Sequence, residues 1–404
     1  MAKLERFAEH PAITESGRLS ISRLTLTDFR CYHHQRIETG ASPVVLTGAN
    51  GAGKTNLLEA LSFLVPGRGL RGARLGEAAR RDKGCADDVD SGRAWAVAAR
   101  VESPDGQVNL GTGREAAAGD GAERRLVHVD GRPCKSQTAL AEFLSVHWLT
   151  PRMDRLFSGG AASRRRFVDR LVFGADPAHA GRVSAYTHAL RERAKLLRQG
   201  RTGGRTDSDW LSALEDAMAG KGVAVAAARR EMISRLNAVS AAKAGPFPGA
   251  GLALKGDLES WLEEGPALEA EDRLRAALVK ARRADGESGG ASVGAHRSDL
   301  KVRHLAKECP AERCSTGEQK ALLIAIILAN AHLQARERGV VPILLLDEVA
   351  AHLDGHRREA LFSEVLALGS QAWLTGVDAD VFSDLRGQAQ FFSIDDAVVT
   401  PGDE

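Results

Sequence analysis

The chain has 404 residues, 43% of them hydrophobic, which is enough for two or three domains or for one domain with a large insertion. Its 55 Lys and Arg nearly balance 53 Asp and Glu, so a uniformly basic surface is excluded and any nucleic-acid contact must come from local charge clusters. The apolar run "ALLIAIILA" at Ala321 is about half as long as a bilayer crossing, and "MAKLERFAEH" lacks the core of a signal peptide. Five cysteines without a C-x-x-C pair fit neither a disulfide framework nor a paired zinc site. We expect a cytoplasmic protein without a membrane partner.

Two predicted strands lead into a glycine-rich loop. "RLTLTDF" alternates leucine with polar residues, and "PVVLTG" is a short buried run. G-x-x-x-x-G-K-T follows, and then a helix predicted from Asn56 to about Val65. Glycines in this context let backbone N–H groups converge on phosphate at a helix N-terminus. The predicted nucleotide-binding residues are Gly48, Ala49, Asn50, Gly51, Ala52, Gly53, Lys54, Thr55 and Asn56.

Within this loop, two side chains have predicted roles. Lys54 would reach the β- and γ-phosphates of ATP and take part in catalysis, and the Thr55 hydroxyl would bind Mg²⁺. The alternative is a glycine-rich turn that contains Lys-Thr by chance.

Further along, two alternating stretches indicate an antiparallel sub-sheet beside the main sheet. They are "AWAVAARVES" and "LVHVDGRP", and the second contains Asp130-Gly131, a hairpin turn signal.

Arginine clusters are the candidates for any nucleic-acid contact. One lies in the Gly-rich "GRGLRGAR" and one in "SRRRFVDR", and a solvated basic face or a set of salt bridges is the alternative for both. Aromatic residues make up 5% of the chain and do not interleave with these clusters, so we expect phosphate contacts with duplex or junction DNA and little reading of sequence. The candidates are Arg68, Arg71, Arg74, Arg164, Arg165 and Arg166.

From about Pro177 to Ala242 the pattern is helical, with "RQGRTGGRTDSD" as the turn between two helices of a short arm. Residues 243–251 and 284–294 are predicted linkers because they are rich in Gly, Pro and Ser. A third basic cluster lies on the arm and has the same solvated alternative; it consists of Arg191, Arg193, Lys195 and Arg198. For His296 and Arg297, contact with a ligand and a structural hydrogen-bonding role stay equally open.

"RCSTGEQKALL" begins a long apolar helix. Ser315 and Glu318 form an S-x-x-E capping box, which by itself indicates only a helix start. About 25 residues later, "PILLLDE" predicts a buried parallel strand. It ends in Asp347, a carboxylate for Mg²⁺, and Glu348, the candidate to orient or deprotonate water. A strand that simply ends in acidic turn residues is the alternative.

Taken in order, these motifs resemble those of the ABC ATPases. The resemblance implies that the signature segment completes the nucleotide site of a second protomer, and that a D-loop follows the acidic pair. The signature residues are Ser315, Thr316, Gly317, Glu318 and Gln319, and the D-loop residues are His352, Leu353 and Asp354. The 260 residues between Thr55 and Ser315 are too many for a transporter domain and too few for a long coiled coil. These motifs predict a compact SMC-like head.

Over nearly its whole length the chain resembles the RecF family of bacterial DNA-repair ATPases. The resemblance rests on "LTLTDFRCY", "GRGLRGA", "WLTP" with "SRRRFVDRLVF", "GAHRSDL", "STGEQK" and "LLLDEVAAHLD". It implies an α/β fold: an ABC-type P-loop ATPase head, with a mixed sheet, flanking helices and an antiparallel sub-sheet, carrying a short inserted helical arm. The predicted boundaries are a tail at 1–18, the first half of the head at 19–172, the arm at 173–292 and the second half at 293–404.

The resemblance also implies a function: a weak, DNA-dependent ATPase that dimerises with ATP and Mg²⁺. It would bind double-stranded and gapped DNA and, with RecO and RecR, promote RecA loading. Thr375 and Gly376 stand where ABC ATPases often have a switch histidine, so slow hydrolysis is expected, and Ala295 replaces a family proline. A transporter ATPase subunit and an architectural SMC-like head remain as alternatives.

Overall fold

The computed structural model describes residues 18–80, 93–116, 124–201, 207–242 and 246–402. The predicted N-terminal tail, apart from Arg18, lies outside these ranges, as do Cys85 and the centre of the predicted turn in the arm. Packing divides the chain into two compact units, residues 1–148 with 334–404, and residues 149–333. We call them the first and the second unit.

The first unit contains an antiparallel sheet with the strand order β2-β1-β4-β5-β6-β7. Its strands are β1 Ser20–Phe29, β2 Tyr32–Glu38, β4 Trp95–Ser103, β5 Gly106–Arg114, β6 Leu126–Val129 and β7 Arg132–Pro133. Val129 pairs with Arg132, so the Asp130-Gly131 hairpin is confirmed. The predicted antiparallel sub-sheet is present.

A second sheet in this unit has the order β15-β14-β3-β13-β12-β8. Its strands are β3 Val44–Thr47, β8 Val146–Leu149, β12 Ile343–Leu346, β13 Ala372–Gly376, β14 Gln390–Asp395 and β15 Val398–Pro401. The neighbours β12, β13, β3 and β14 run parallel, whereas β15 is antiparallel to β14. This confirms the mixed sheet, and β13 separates the two motif-bearing strands β3 and β12.

Helix α1, Lys54–Ser62, follows β3 and is shorter than the predicted span to Val65. Phe63, which ends it, packs edge-on against Phe29 of β1 and Trp95 of β4, with ring centroids 5.9 and 5.2 Å apart. These rings hold the end of α1 on the antiparallel sheet. The buried Gln371, directly before β13, exchanges two hydrogen bonds with the backbone of Ile21 in β1, which joins the two sheets. Helix α8, Gly355–Leu368, lies between β12 and β13 in sequence.

The second unit is mainly helical and includes the predicted arm helices. Its helices are α2 Ala161–Ala175, α3 Ala178–Arg201, α4 Ser208–Ala242, α5 Asp257–Glu264 and α6 Ala267–Ser288, and α7 Thr316–Arg338 begins in it. Tyr186, Met218, Leu274 and Leu278 contribute to its apolar core. The predicted domain boundaries at 173 and 293 stay a prediction.

Sequence reasoning missed a small antiparallel sheet of order β11-β10-β9 in this unit. Its strands are β9 Ala250–Lys255, β10 Asp299–His304 and β11 Cys309–Pro310. The linker prediction was wrong in part: β9 begins inside 243–251, and α6 continues to Ser288, whereas residues 246–249 and 289–294 belong to no helix or strand. Asp285 keeps the second segment helical because its carboxylate accepts hydrogen bonds from Arg193 and from the backbone of Ser292.

Candidate functional site

The glycine loop lies between β3 and α1, as predicted, and its glycines are sterically required. Gly48 has φ 144° and Gly53 has φ 123°, values that other residues rarely adopt. A Cβ atom at Gly48 would lie 2.2 Å from the Ile394 carbonyl oxygen, and one at Gly53 would lie 2.6 Å from the Tyr32 hydroxyl. The loop can therefore follow this path only with glycine at both positions.

The Lys54 side chain is buried and turns back over the loop. Its ammonium donates hydrogen bonds to the carbonyl oxygens of Gly48 at 2.6 Å and Ala49 at 2.9 Å. Burial lowers its pKa, and the charges of Glu348 and Asp347 oppose that shift. Ala49, Asn50 and Gly51 are at least partly exposed, so the surface of the loop is open to a ligand.

Residues far apart in sequence meet at the carboxyl ends of the parallel strands. The Thr55 hydroxyl at the start of α1 donates to Asp347 Oδ1 at 2.9 Å, across 292 residues of chain. Burial raises the pKa of Asp347, and hydrogen bonds from Thr375 and Thr55 partly offset this. A hydroxyl and a carboxylate held together are hard oxygen ligands suited to Mg²⁺, which usually takes one or two protein ligands beside phosphates and water.

The role of Thr375 becomes visible only in the structure. Its hydroxyl donates to Asp347 Oδ1 at 2.9 Å and accepts from the backbone N–H of Glu348, also at 2.9 Å. Because β13 lies between β3 and β12, its carboxyl end reaches both the glycine loop and the acidic pair. Glu348 has φ 51°, which is uncommon outside glycine and is often found at functional sites. The residue in the place of the switch histidine thus aligns the two acidic residues.

The predicted D-loop residues, 352–354, directly precede α8. The Asp354 carboxylate caps this helix by accepting from the backbone N–H of Arg357 at 2.9 Å, and Leu353 is buried. The side chain of His352 lies outside the described structure.

In the second unit, the signature segment opens α7 with the predicted capping box. The backbone N–H of Ser315 donates to Glu318 Oε2 at 2.9 Å, and that of Glu318 donates to Ser315 Oγ at 3.4 Å. The Lys307 ammonium, together with these Ser315 contacts, lowers the pKa of Glu318 to about 2. Gln319 is buried and donates to the Cys314 carbonyl, whereas Ser315 and Thr316 are exposed. This leaves the first residues of the signature accessible.

Several of the predicted DNA-binding arginines have partners inside their own unit. Arg71 donates to the fully buried Glu59, which also holds Arg30, and to Asn56 Oδ1 at 2.7 Å. Arg164 forms a bidentate pair with Asp299, and Arg165 donates to the Ser298 carbonyl oxygen. Arg68, Arg74 and Arg166 are exposed.

Other basic residues of the sequence analysis have structural contacts. Arg193 is buried and pairs with Glu215 and Asp285, so it does not form an exposed basic cluster with its neighbours on α3. His296 is held between the Tyr186 hydroxyl and the Ala291 carbonyl oxygen, and Arg297 donates to the same carbonyl. For these three residues the structural role is the one observed.

The architecture and the site together define an ABC-type ATPase head of the SMC-like class, and comparisons with known proteins agree. Residues 20–399 match the family described as RecF/RecN/SMC N terminal domain. A DNA replication and repair protein RecF from Mesorhizobium japonicum is 49% identical over 386 residues, which cover 95% of this chain and 98% of the relative. The chain belongs to the RecF family, which confirms the resemblance seen in its motifs.

Two solved structures share the fold. A structure of the recombination mediator protein RecF-ATP in the RecFOR pathway has a TM-score of 0.82 at 21% identity and covers 98% of this chain and all of that chain. The Smc head domain from Pyrococcus furiosus has a TM-score of 0.52 at 16% identity, with 95% of each chain covered. Among the described residues, we find no helix long and apolar enough to cross a membrane.

Proposed function

We propose that the chain is an ATP-gated DNA-binding protein of recombinational repair. The observation that carries the proposal is the hydrogen bond of 2.9 Å between Thr55 of the glycine loop and Asp347. It joins the phosphate-binding segment to the metal carboxylate within one site, as P-loop ATPases require. Membership of the RecF family, whose named relatives are DNA replication and repair proteins, supports the rest of the proposal.

In this proposal, Lys54 leaves its two carbonyl partners to bind the β- and γ-phosphates, and Thr55 and Asp347 hold Mg²⁺. Bound Mg·ATP supplies the phosphoanhydride that is cleaved. Glu348 orients or deprotonates the attacking water. The Thr375 hydroxyl holds the Glu348 backbone and the Asp347 carboxylate in place through its two hydrogen bonds. Because Thr375 lacks the basic nitrogen of a switch histidine, turnover is expected to be slow.

The exposed residues at the start of α7 support ATP-dependent dimerisation. Ser315, Thr316 and Gly317 present a hydroxyl and backbone N–H groups at a helix N-terminus, which suits the γ-phosphate of a nucleotide held by a second copy. The remaining two signature residues support this surface: Glu318 caps the helix and Gln319 anchors it.

For DNA, the exposed Arg68, Arg74 and Arg166 are the favoured contacts among the six candidates. Arg71, Arg164 and Arg165 have carboxylate or carbonyl partners, so they would have to exchange them for phosphate, which makes them the weaker candidates. Contacts through exposed arginines favour sequence-independent binding of duplex or gapped DNA. RecO and RecR as partners, and RecA loading as the outcome, are part of the proposal; the RecFOR pathway named for the related structure supports them.

The test is the affinity of the Glu348→Gln protein for a gapped duplex at near-physiological salt, with ATP and with ADP. We expect binding to be at least about tenfold tighter with ATP, in the usual range of coupling between two ligands. Lys54→Ala is the control that should lose this difference by losing the nucleotide. Equal affinity in both nucleotides would show that ATP does not gate DNA binding.

The assignment of arginines has its own test in the Glu348→Gln background. Arg68→Ala combined with Arg74→Ala should weaken binding to all DNA sequences alike and reduce the salt slope by about 1 for each phosphate that is no longer neutralised. Arg124→Ala, which removes an exposed arginine from outside these clusters, is the matched control. Weaker binding confined to particular sequences would contradict the phosphate assignment.

A further inference from the structure

Two free thiols touch immediately before the signature segment. Cys309 belongs to β11 and is partly exposed, whereas Cys314 is buried. Their Sγ atoms lie 3.4 Å apart. A disulfide bond is about 2.05 Å long, so forming it requires the two sulfur atoms to approach each other further, which draws Cys314 towards β11.

The position of Cys314 links this pair to α7. Its backbone N–H donates to the Ala311 carbonyl oxygen at 3.1 Å, and its own carbonyl accepts from Gln319 Nε2 at 3.0 Å. The next residue is Ser315, whose hydroxyl caps the helix and is exposed. Any movement of the Cys314 Cβ atom is therefore passed to the helix start.

We propose that Cys309 and Cys314 are a redox modification site: a two-electron oxidant of the peroxide class converts them to a disulfide that displaces the start of the signature helix. The effect on dimerisation rests on the proposed role of Ser315 in the nucleotide site of a second copy. A cellular dithiol reverses the modification by thiol–disulfide exchange.

The oxidation proceeds in two steps. The Cys309 thiol loses its proton to solvent and the thiolate attacks a peroxide oxygen; the O–O bond breaks, Cys309 becomes a sulfenic acid, and the other oxygen leaves as hydroxide, which takes up a proton to become water. The Cys314 sulfur then attacks the Cys309 sulfur, and the sulfenic hydroxyl leaves as a second water with the Cys314 proton. Both cysteines are oxidised by one electron each, and one hydrogen peroxide is reduced to two water molecules.

The greater accessibility of Cys309 and the raised pKa of Cys314 both favour Cys309 as the first thiol to be oxidised. Burial, together with the neighbouring Cys309 thiol, raises the pKa of Cys314 to about 11, so this thiol stays protonated near neutral pH. Cys309 is the more accessible of the pair and takes the oxidant first, and Cys314 resolves the sulfenic acid because it is already in contact.

The experiment treats the full-length protein with stoichiometric hydrogen peroxide, blocks the remaining thiols and maps the bond by peptide mass spectrometry. We expect a bond between Cys309 and Cys314 that dithiothreitol removes. ATP-dependent dimerisation should weaken by about tenfold in the oxidised protein and recover on reduction. Cys309→Ser should dimerise equally well before and after peroxide, and Cys134→Ser should behave like the unmodified sequence.

Hydrogen exchange of the amides at 315–320 in both redox states is the second readout, since it requires neither ATP nor a dimer. Increased exchange after oxidation supports displacement of the helix start even if the reduced protein fails to dimerise, a failure that would count against the proposed function alone. Over-oxidation of Cys309 without a bond to Cys314 would overturn the proposal. A mapped bond that leaves both exchange and dimerisation unchanged would overturn it as well.

Discussion

At the scale of single residues, the position of Thr375 is the most consequential detail of the site. One hydroxyl both donates to Asp347 and accepts from the Glu348 backbone, so its removal disturbs the metal carboxylate and the candidate base together. We expect Thr375→Val to lower the kcat for ATP by about tenfold, since a buried polar group left unpaired costs about 1–3 kcal/mol. The KM for ATP should change less than kcat, because Lys54 and the glycine loop are untouched.

The pH profile separates this role from a general loss of structure. The Thr375 hydrogen bond lowers the pKa of Asp347 against the effect of burial, so its removal raises that pKa further. In the proposed function it is the ionised carboxylate that binds Mg²⁺, so the acid limb of the pH–kcat profile should move to higher pH in Thr375→Val. Thr375→Ser keeps the hydroxyl and should behave like threonine. An unmoved acid limb in the valine variant would contradict the role given to Thr375.

At the scale of helices and strands, charged networks hold the second unit together. Arg193 of α3 is buried and donates to Glu215 of α4, to Asp285 of α6 and to the Leu278 carbonyl oxygen. Removing one partner of a buried network leaves uncompensated charge at a cost of about 3–5 kcal/mol. We expect Arg193→Met to lower the free energy of unfolding by that amount, measured by equilibrium urea denaturation.

Arg191 on the same helix is the matched control because it is exposed. Arg191→Met makes the same chemical change at the surface and should alter the free energy of unfolding by no more than about 0.5 kcal/mol. If the two variants were equally stable, the three-helix network would add nothing beyond ordinary packing.

At the scale of the whole molecule, the proposed dimer depends on the exposed residues at the start of α7. An arginine at position 315 removes the capping hydroxyl and adds bulk where the γ-phosphate of a second copy would bind. We expect Ser315→Arg to retain nucleotide binding while losing ATP-dependent dimerisation, as measured by light scattering with ATP in the Glu348→Gln background.

Ser184→Arg is its control, since Ser184 is an exposed serine on α3 outside the signature segment. This variant should dimerise with ATP like the parent protein. Normal dimerisation of Ser315→Arg would show that the signature does not complete a site in the second copy.

The motifs that local chemistry dictates were predicted from the sequence. The backbone conformation of the loop requires glycine at positions 48 and 53. The capping box at Ser315 satisfies backbone N–H groups that have no partner at the start of a helix. "PILLLDE" has the pattern of a buried strand that ends in polar residues. Each of these signals lies within a few residues of the feature that it specifies. The antiparallel sheet follows from the same kind of short-range pattern, whereas the mixed sheet was implied by the resemblance to the RecF family.

The tertiary structure alone decided which charged and polar groups act together. In sequence, Arg71, Arg164 and Arg193 resemble the exposed Arg68. The carboxylate partner of Arg71 is 12 residues away along the chain, and that of Arg164 is 135 residues away. The two carboxylate partners of Arg193 are 22 and 92 residues away. Thr375 gained its role because the strand order places β13 between β3 and β12, and the touching thiols before Ser315 depend on the unpredicted strand β11. The local sequence pattern determines where a phosphate-binding loop can form, because such a loop depends on the backbone conformation of neighbouring residues. Which side chains remain free to bind DNA depends on desolvation and pairing between distant segments, and these exist only in the folded chain.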